Sequence, residues 1–180
     1  MRQTTRVRIT LATALTLAVA TVSWCGPGAG ELSLDRSAVR DLIALALPEP
    51  VTLELAGLAA VTVRVDAPAE VLFHEGGVEA SLPLRVSGVD RELHVQVRYV
   101  PGIEPLSGTV RLEPKSVVLQ GQLPFELDLA AWVGTVDLPR RLDWDLDLDG
   151  GKRARVTCFV QGLTVEKDRL RLDLGLLLKP

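Results

Sequence analysis

The chain has few of the residues on which most enzyme, metal and nucleic-acid sites depend. Aromatic residues make up only 4% of its 180 residues, and it has two cysteines and two histidines. Because single-stranded nucleic acid is held by bases stacked on aromatic rings, this composition disfavours that class of ligand. His74 and His94 have no cysteine or acid at ligand spacing, so the sequence predicts no zinc site.

Recognisable catalytic motifs are also missing. None of the serines lies in a Gly-x-Ser-x-Gly elbow, and the chain has no Gly-rich phosphate loop or dinucleotide fingerprint. The prediction is therefore a non-catalytic protein that uses no cofactor and no metal. A set of catalytic side chains that meet only in the folded protein is the alternative that a single sequence leaves open.

The first thirty residues follow the pattern of an export signal. A basic start at Arg2, Arg6 and Arg8 precedes an apolar run over 9–20, which is too short to span a bilayer comfortably. The rule for signal cleavage, small-x-small, is satisfied by Ala18-Val19-Ala20 and also by Gly28-Ala29-Gly30. We expect residues 1–30 to be an export signal and leader, and residues 31–180 to be a single domain of the bacterial periplasm or cell envelope.

Removal of that leader changes the charge of the chain. It leaves 17 basic against 23 acidic residues, a net charge of −6, where the whole chain carries −3. A negative net charge opposes electrostatic binding to nucleic acid or to an anionic lipid surface. No nucleic-acid partner is therefore expected.

Cys25 allows several interpretations. It stands where a lipidated cysteine follows an apolar run, which would tether the protein to a membrane, but Trp24 before it is larger than a lipoprotein signal normally has. Cleavage ahead of Cys25 would instead leave it able to bond to Cys158 in an oxidising compartment. The third interpretation is that Cys25 is discarded or left in the leader and that Cys158 is a small buried apolar residue.

One acidic motif resembles the start of a calcium loop. Asp145-x-Asp147-x-Asp149-Gly150 opens like an EF-hand, yet the twelfth position, where that loop needs an acid, is Val156. The same acids continue a strict period of two that begins at Asp143, which places them on one face of a strand. A hairpin with the following strand would bring two basic residues across from them, Arg153 and Arg155.

An amphipathic helix is predicted at the start of the mature chain. Ser33 is a candidate N-cap, and the prolines at 48 and 50 end the helix after about fourteen residues. The helical spacing aligns an apolar stripe of Val39, Leu42, Ile43, Ala46 and Leu47.

After Pro50 the apolar period changes from helical spacing to two. Residues 61–65, 78–86 and 93–99 alternate apolar and polar side chains, as do 142–148 and 170–176. Turn signals such as Gly76-Gly77 and Pro101-Gly102 separate these runs, and their shortness favours antiparallel neighbours. Residues 127–133 form a short helix or a bent strand. The fold class is thus α+β and mainly antiparallel β, with a strongly curved sheet of eight to ten strands wrapped on one N-terminal amphipathic helix.

The apolar face of such a sheet is larger than one helix of about 20 Å can cover. Either the sheet closes on itself, or a cavity remains that an apolar ligand fills. Leucine, valine and alanine on that face suit flexible acyl chains, and they suit an ordinary aliphatic core equally well.

The layout resembles a family of lipid-binding proteins. An export signal is followed by Leu34-x-x-Ser37-x-Val39-x-x-Leu42-Ile43 on a helix that ends in proline, and then by long antiparallel strands. This order, together with the segment 101–112 after a loop, is similar to that of tubular lipid-binding (TULIP) proteins, and most of all to the YceB-like lipoproteins.

The resemblance implies a groove for lipid or another apolar small molecule between the helix and the curved sheet. The residues that would line it are Val39, Leu42, Ile43, Ala46 and Leu47 of the helix and Leu82, Leu84, Val95 and Val97 of the strands. The alternative hypothesis is a structural or protein-interaction β-sandwich module of the cell envelope with no ligand cavity.

Overall fold

The computed structural model describes residues 20–26, 29–54, 60–104, 109–123, 127–138, 141–148 and 152–179. Within these ranges the protein is mostly antiparallel β with one α-helix, as the alternation predicted. The first nineteen residues of the predicted export signal lie outside the described residues. The helices are α1 (Arg36–Ala46) and a short 3-10 helix (Leu129–Ala131).

Twelve strands lie in the described residues, so the predicted count of eight to ten is not confirmed. They are β1 (Ala20–Gly26), β2 (Ala29–Asp35), β3 (Val51–Leu53), β4 (Val61–Val65), β5 (Glu70–His74), β6 (Gly77–Val86), β7 (Leu93–Ile103), β8 (Val110–Gln120), β9 (Val136–Leu138), β10 (Arg141–Leu148), β11 (Lys152–Val165) and β12 (Arg169–Lys179).

The strands form two sheets, where the sequence predicted one. The five-stranded sheet has the order β1-β2-β12-β11-β10, and the seven-stranded sheet has the order β3-β4-β6-β7-β8-β9, with β5 paired to β6 beside β4. Every strand pair in both sheets is antiparallel. Short turns connect most sequence neighbours, which is why period-two runs separated by turn signals form antiparallel ladders.

The tight turn between β5 and β6 shows how local sequence sets the register. His74 pairs with Gly77, so only Glu75 and Gly76 form the loop. Gly76 has a φ of 75°, a conformation that two-residue hairpins need and that glycine adopts without a steric penalty. Gly77 is required for a different reason, because a Cβ there would lie 2.8 Å from the Tyr99 carbonyl oxygen on β7.

The helix begins later than predicted. Asp35, not Ser33, is the N-cap, and its carboxylate accepts a hydrogen bond from the Ala38 amide at 2.9 Å. Ser33 belongs to β2, where it pairs with Arg171 of β12. Because these strand pairs occupy residues 29–35, α1 has eleven residues instead of about fourteen.

The seven-stranded sheet is strongly curled, in the form of a half-barrel. α1 contacts β5 and β9, which have β6, β7 and β8 between them, and it also contacts β2 of the other sheet. Four strand spacings of about 4.8 Å make about 19 Å on a flat sheet, roughly twice the width of a helix. Contact of one short helix with both strands agrees with the strongly curled, half-barrel form of the sheet.

The hydrophobic core lies between the two sheets and α1. It is built from buried aliphatic side chains with Phe73 and Tyr99 as its rings. In addition to the helix, β7 and β11 connect the sheets by direct contact.

Candidate functional site

Seven of the nine residues predicted to line a groove are buried in the core. Val39, Ile43, Leu82, Val95 and Val97 have no exposed surface, and Leu42 and Leu84 have at most 5%. Ala46 and Leu47, at the C-terminal end of α1, are partly exposed and pack against the core. Ala46 and Leu47 are therefore the most accessible of the nine residues to a ligand.

Apolar residues that the sequence did not single out are also only partly buried at the inner faces. Val117 and Leu119 of β8 are opposite buried Val97 and Val95 of β7. Because cross-strand partners lie on the same face of a sheet, both side chains belong to the inner face. Their partial exposure agrees with the strand order, since within the described residues β9 pairs with β8 over Val110–Leu112 and not beyond.

The five-stranded sheet also has partly buried apolar residues on an inner face, and they belong to β11. Val160, Leu163 and Val165 are partly buried, and each is opposite a leucine of β12 that is almost fully buried. We use the name inner rim for these five residues, namely Val117 and Leu119 of β8 and Val160, Leu163 and Val165 of β11.

The sequence could not identify the inner rim from alternation alone. The run Val117-Val118-Leu119 is apolar at three successive positions, so period two does not say which residues face inward. The structure resolves the ambiguity because a register shift between Arg98 and Tyr99 sets the phase of β8. Val118 then lies on the outer face, where 52% of its surface is exposed.

A depression of about 860 Å³ lies at the end of the seven-stranded sheet, beside the turn between β6 and β7. Leu84 is the only predicted groove residue that lines it. Three basic residues and two acidic residues also line it, which are Arg64, Arg85, Arg91, Asp90 and Glu92. These five charged side chains make the depression a poor match for an acyl chain.

Two of those arginines share one carboxylate. Arg64 and Arg85 are directly opposite each other on β4 and β6, and their Nε atoms lie 2.7 Å and 2.6 Å from the two carboxylate oxygens of Asp66. The pairing offsets the repulsion between two like charges in register. Neither guanidinium is therefore a vacant anion site.

The two histidines lie beside polar partners on strands. His94 Nδ1 is 3.4 Å from the Ser81 hydroxyl, longer than the 2.6–3.2 Å typical of a nucleophile and its base. His74 Nε2 is 3.3 Å from a Glu79 carboxylate oxygen. Among the residues that the structure describes, no three His, Cys, Asp or Glu side chains are grouped so that they could hold a metal ion.

The predicted acidic hairpin is confirmed in its register. β10 pairs with β11 so that Asp145 is opposite Arg155 and Asp147 is opposite Arg153. Asp149 and Gly150, the rest of the motif that resembles a calcium loop, lie outside the described residues.

The two cysteines are too far apart to bond in this arrangement. Cys25 lies in β1 and Cys158 in β11, three strand spacings or about 14 Å apart. A disulfide needs Cα atoms less than about 7 Å apart. The interpretation that fits is Cys158 as a fully buried core residue.

Comparison with protein-family models, with curated proteins and with solved structures found no match for this chain. In the described part of the chain, no helix combines the length and the apolar character needed to cross a membrane.

Proposed function

We propose that this is a non-catalytic protein, exported to the bacterial periplasm or cell envelope, that binds an apolar ligand, most simply lipid acyl chains. The ligand would lie where the N-terminal helix meets the curled sheet, reaching the inner faces from the partly exposed end of α1 and the inner rim. This is also the layout that the resemblance to tubular lipid-binding proteins implies.

The inner rim carries this proposal. Its five side chains are aliphatic, and their cross-strand partners on the inner faces are buried valines and leucines. Burial of such surface releases roughly 25 cal/mol for each Å² removed from water, so an acyl chain laid on it is favoured. Saturated chains need no hydrogen-bonding partners, which fits a surface of leucine and valine.

The residues fully buried in the core have a different part in this proposal. Val39, Ile43 and Val97 are fully buried, so they hold the helix and the seven-stranded sheet in position and do not touch the ligand. The ligand contacts are instead Ala46, Leu47 and the inner rim. This differs from the groove that the sequence predicted.

Native mass spectrometry of the purified protein tests the proposal. The exported chain, isolated under mild conditions, should retain co-purified lipid as a discrete mass addition. Leu119→Gln places a polar group on the inner rim and should reduce the retained lipid. Val118→Gln is the matched control, because it makes the neighbouring change on the outer face of the same strand.

Two outcomes contradict the proposal. One is wild-type protein that carries no lipid after mild purification and takes up none from vesicles of mixed bacterial phospholipids. The other is equal lipid loss in both variants when circular dichroism shows that both are folded.

The alternative is a structural or protein-interaction β module of the envelope with no ligand cavity. The observation that favours it is the edge of β8, which within the described residues has no second ladder partner beyond Leu112, beside exposed Val118. Such an edge can accept a strand from another protein. Absence of lipid in the experiment above, with a fully folded protein, would support this function instead.

A further inference from the structure

The first strand of the structure lies within the segment that the sequence assigns to the export leader. β1 pairs with β2 over its length, from Ala20 opposite Leu34 to Gly26 opposite Ala29. β2 pairs on its other side with β12, where Gly30 is opposite Leu174. Gly30 is therefore a buried residue between two strands.

The two cleavage sites allowed by the small-x-small rule have different consequences for this sheet. Cleavage after Gly30 would remove all of β1 and the first two residues of β2. Leu174 and Gly175 of β12 would lose their partners on β2, and a charged amino group would lie next to a central strand pair. Cleavage after Ala20 removes a single residue of β1.

Cleavage at a lipidated Cys25 falls between these two cases. It would remove Ala20–Trp24, five of the seven residues of β1. The pairs of Val22 with Leu32 and of Trp24 with Gly30 would both be lost. Of the three positions, the bond after Ala20 removes the least of the five-stranded sheet, since β1 loses only Ala20 and its pairing with Leu34.

We propose that an export peptidase hydrolyses the peptide bond between Ala20 and Thr21, so that the mature protein begins with β1. Water supplies the hydroxyl group that completes the Ala20 carboxylate and the hydrogen that completes the Thr21 amine. Ala18 and Ala20 supply the small side chains that such peptidases accept. The inference depends on the export part of the proposed function.

The amino terminus of the exported protein tests this assignment. The full chain is expressed in a Gram-negative host, and the envelope fraction is characterised by amino-terminal sequencing and intact mass. We expect a chain that begins at Thr21 without a lipid modification. A mature chain that begins at Glu31, or at Cys25 with an attached lipid, overturns the assignment while leaving export standing.

Failure of the export proposal itself would give a different result. An uncleaved chain confined to the cytoplasm would overturn both proposals together. A chain that begins at Thr21 but carries no bound lipid would overturn the proposal of lipid binding and leave the cleavage assignment standing.

Two matched variants strengthen the test. Ala20→Leu places a bulky residue directly before the proposed bond, and the Thr21 amino terminus should be lost while the precursor accumulates. Gly28→Leu makes the same kind of change at the competing site and should be processed like the wild type. Normal processing of Ala20→Leu, or a block in Gly28→Leu, would contradict the proposal.

Discussion

Tyr99 is the one tyrosine of the chain and one of the largest side chains in the core. It is 1% exposed on β7, and burial raises the pKa of its phenol well above the ordinary value near 10. The folded protein therefore keeps this proton at a pH where the unfolded chain releases it. The stability linked to the neutral phenol is complete below the unfolded pKa and is lost as the pH rises above it.

We expect the Tyr99→Phe variant to lose less free energy of unfolding than the wild type when the solution is made alkaline. The variant and the wild type are compared by denaturant unfolding at neutral pH and above pH of about 10, where the unfolded phenol ionises. Ultraviolet absorbance of tyrosinate gives a second measurement, because no other tyrosine contributes. Titration of the folded wild type at the ordinary tyrosine pKa would show that this ring is not buried.

Asp66 is expected to stabilise the pairing of β4 with β6. Asp66→Asn keeps the size of the side chain but leaves Arg64 and Arg85 facing each other without a counter-charge. Both guanidinium groups are mostly exposed, so the cost should be small, about 1 kcal/mol, and lower in high salt. The measurement is the free energy of unfolding at two salt concentrations.

The double variant Asp66→Asn with Arg85→Gln is the control for that experiment. It removes the repulsion as well as the carboxylate, so it should recover part of the lost stability. No recovery would mean that Asp66 stabilises the protein without acting on the two arginines.

At the level of the elements, helix α1 depends on its cap. Asp35→Ala removes the acceptor for the Ala38 amide and should cost about 1 kcal/mol. Asp41→Ala is the control, since Asp41 lies inside the helix and pairs with exposed Arg40 at 3.4 Å. Equal destabilisation of the two variants in thermal unfolding would contradict the assignment of the cap.

The sequence predicted those elements whose signal lies within a few consecutive residues, such as alternating strands and glycine turns. Alternation identified β4, β6 and β7, glycine chemistry identified the turn before β6, and the leucines at 170–176 identified β12. Residues 127–133, predicted as a short helix or a bent strand, contain the 3-10 helix Leu129–Ala131.

Elements that depend on distant partners were not predictable in the same way. Residues 29–35 pair with β12, and the alternation of Leu32 and Leu34 with polar neighbours is a strand signal. Ser33 also suits a helix N-cap, so near neighbours alone did not decide between strand and helix. The inward orientation of the inner rim also depends on pairing with distant strands. Whether Val117 or Val118 faces inward is fixed by the register with β7, which the sequence does not show. The groove that the resemblance implied consists mostly of residues that the core buries.

On the scale of the whole molecule, α1 makes the two sheets one folding unit. Its buried side chains lie between β2 of one sheet and β5 and β9 of the other. Loss of packing at the helix should therefore weaken both sheets together, and unfolding should follow a single cooperative transition.

Ile43→Ala tests this coupling. Ile43 is fully buried, so the truncation should cost about 3 kcal/mol without dividing the transition. Leu45→Ala on the same helix is the control, because Leu45 is 58% exposed and should cost less than about 0.5 kcal/mol. Circular dichroism and tryptophan fluorescence should give coincident denaturation curves, and separate midpoints would show two independent sheets.

The position of β12 in the middle of its sheet determines the order in which the protein can assemble. Leu34 and Leu170 are partners, although 136 positions of sequence separate them. Closing so long a loop has a large entropic cost before any contact offsets it, which makes high-contact-order proteins slow to fold. β2 and β11 can join only through β12, so a chain emerging from the ribosome keeps this sheet open until synthesis reaches residue 179.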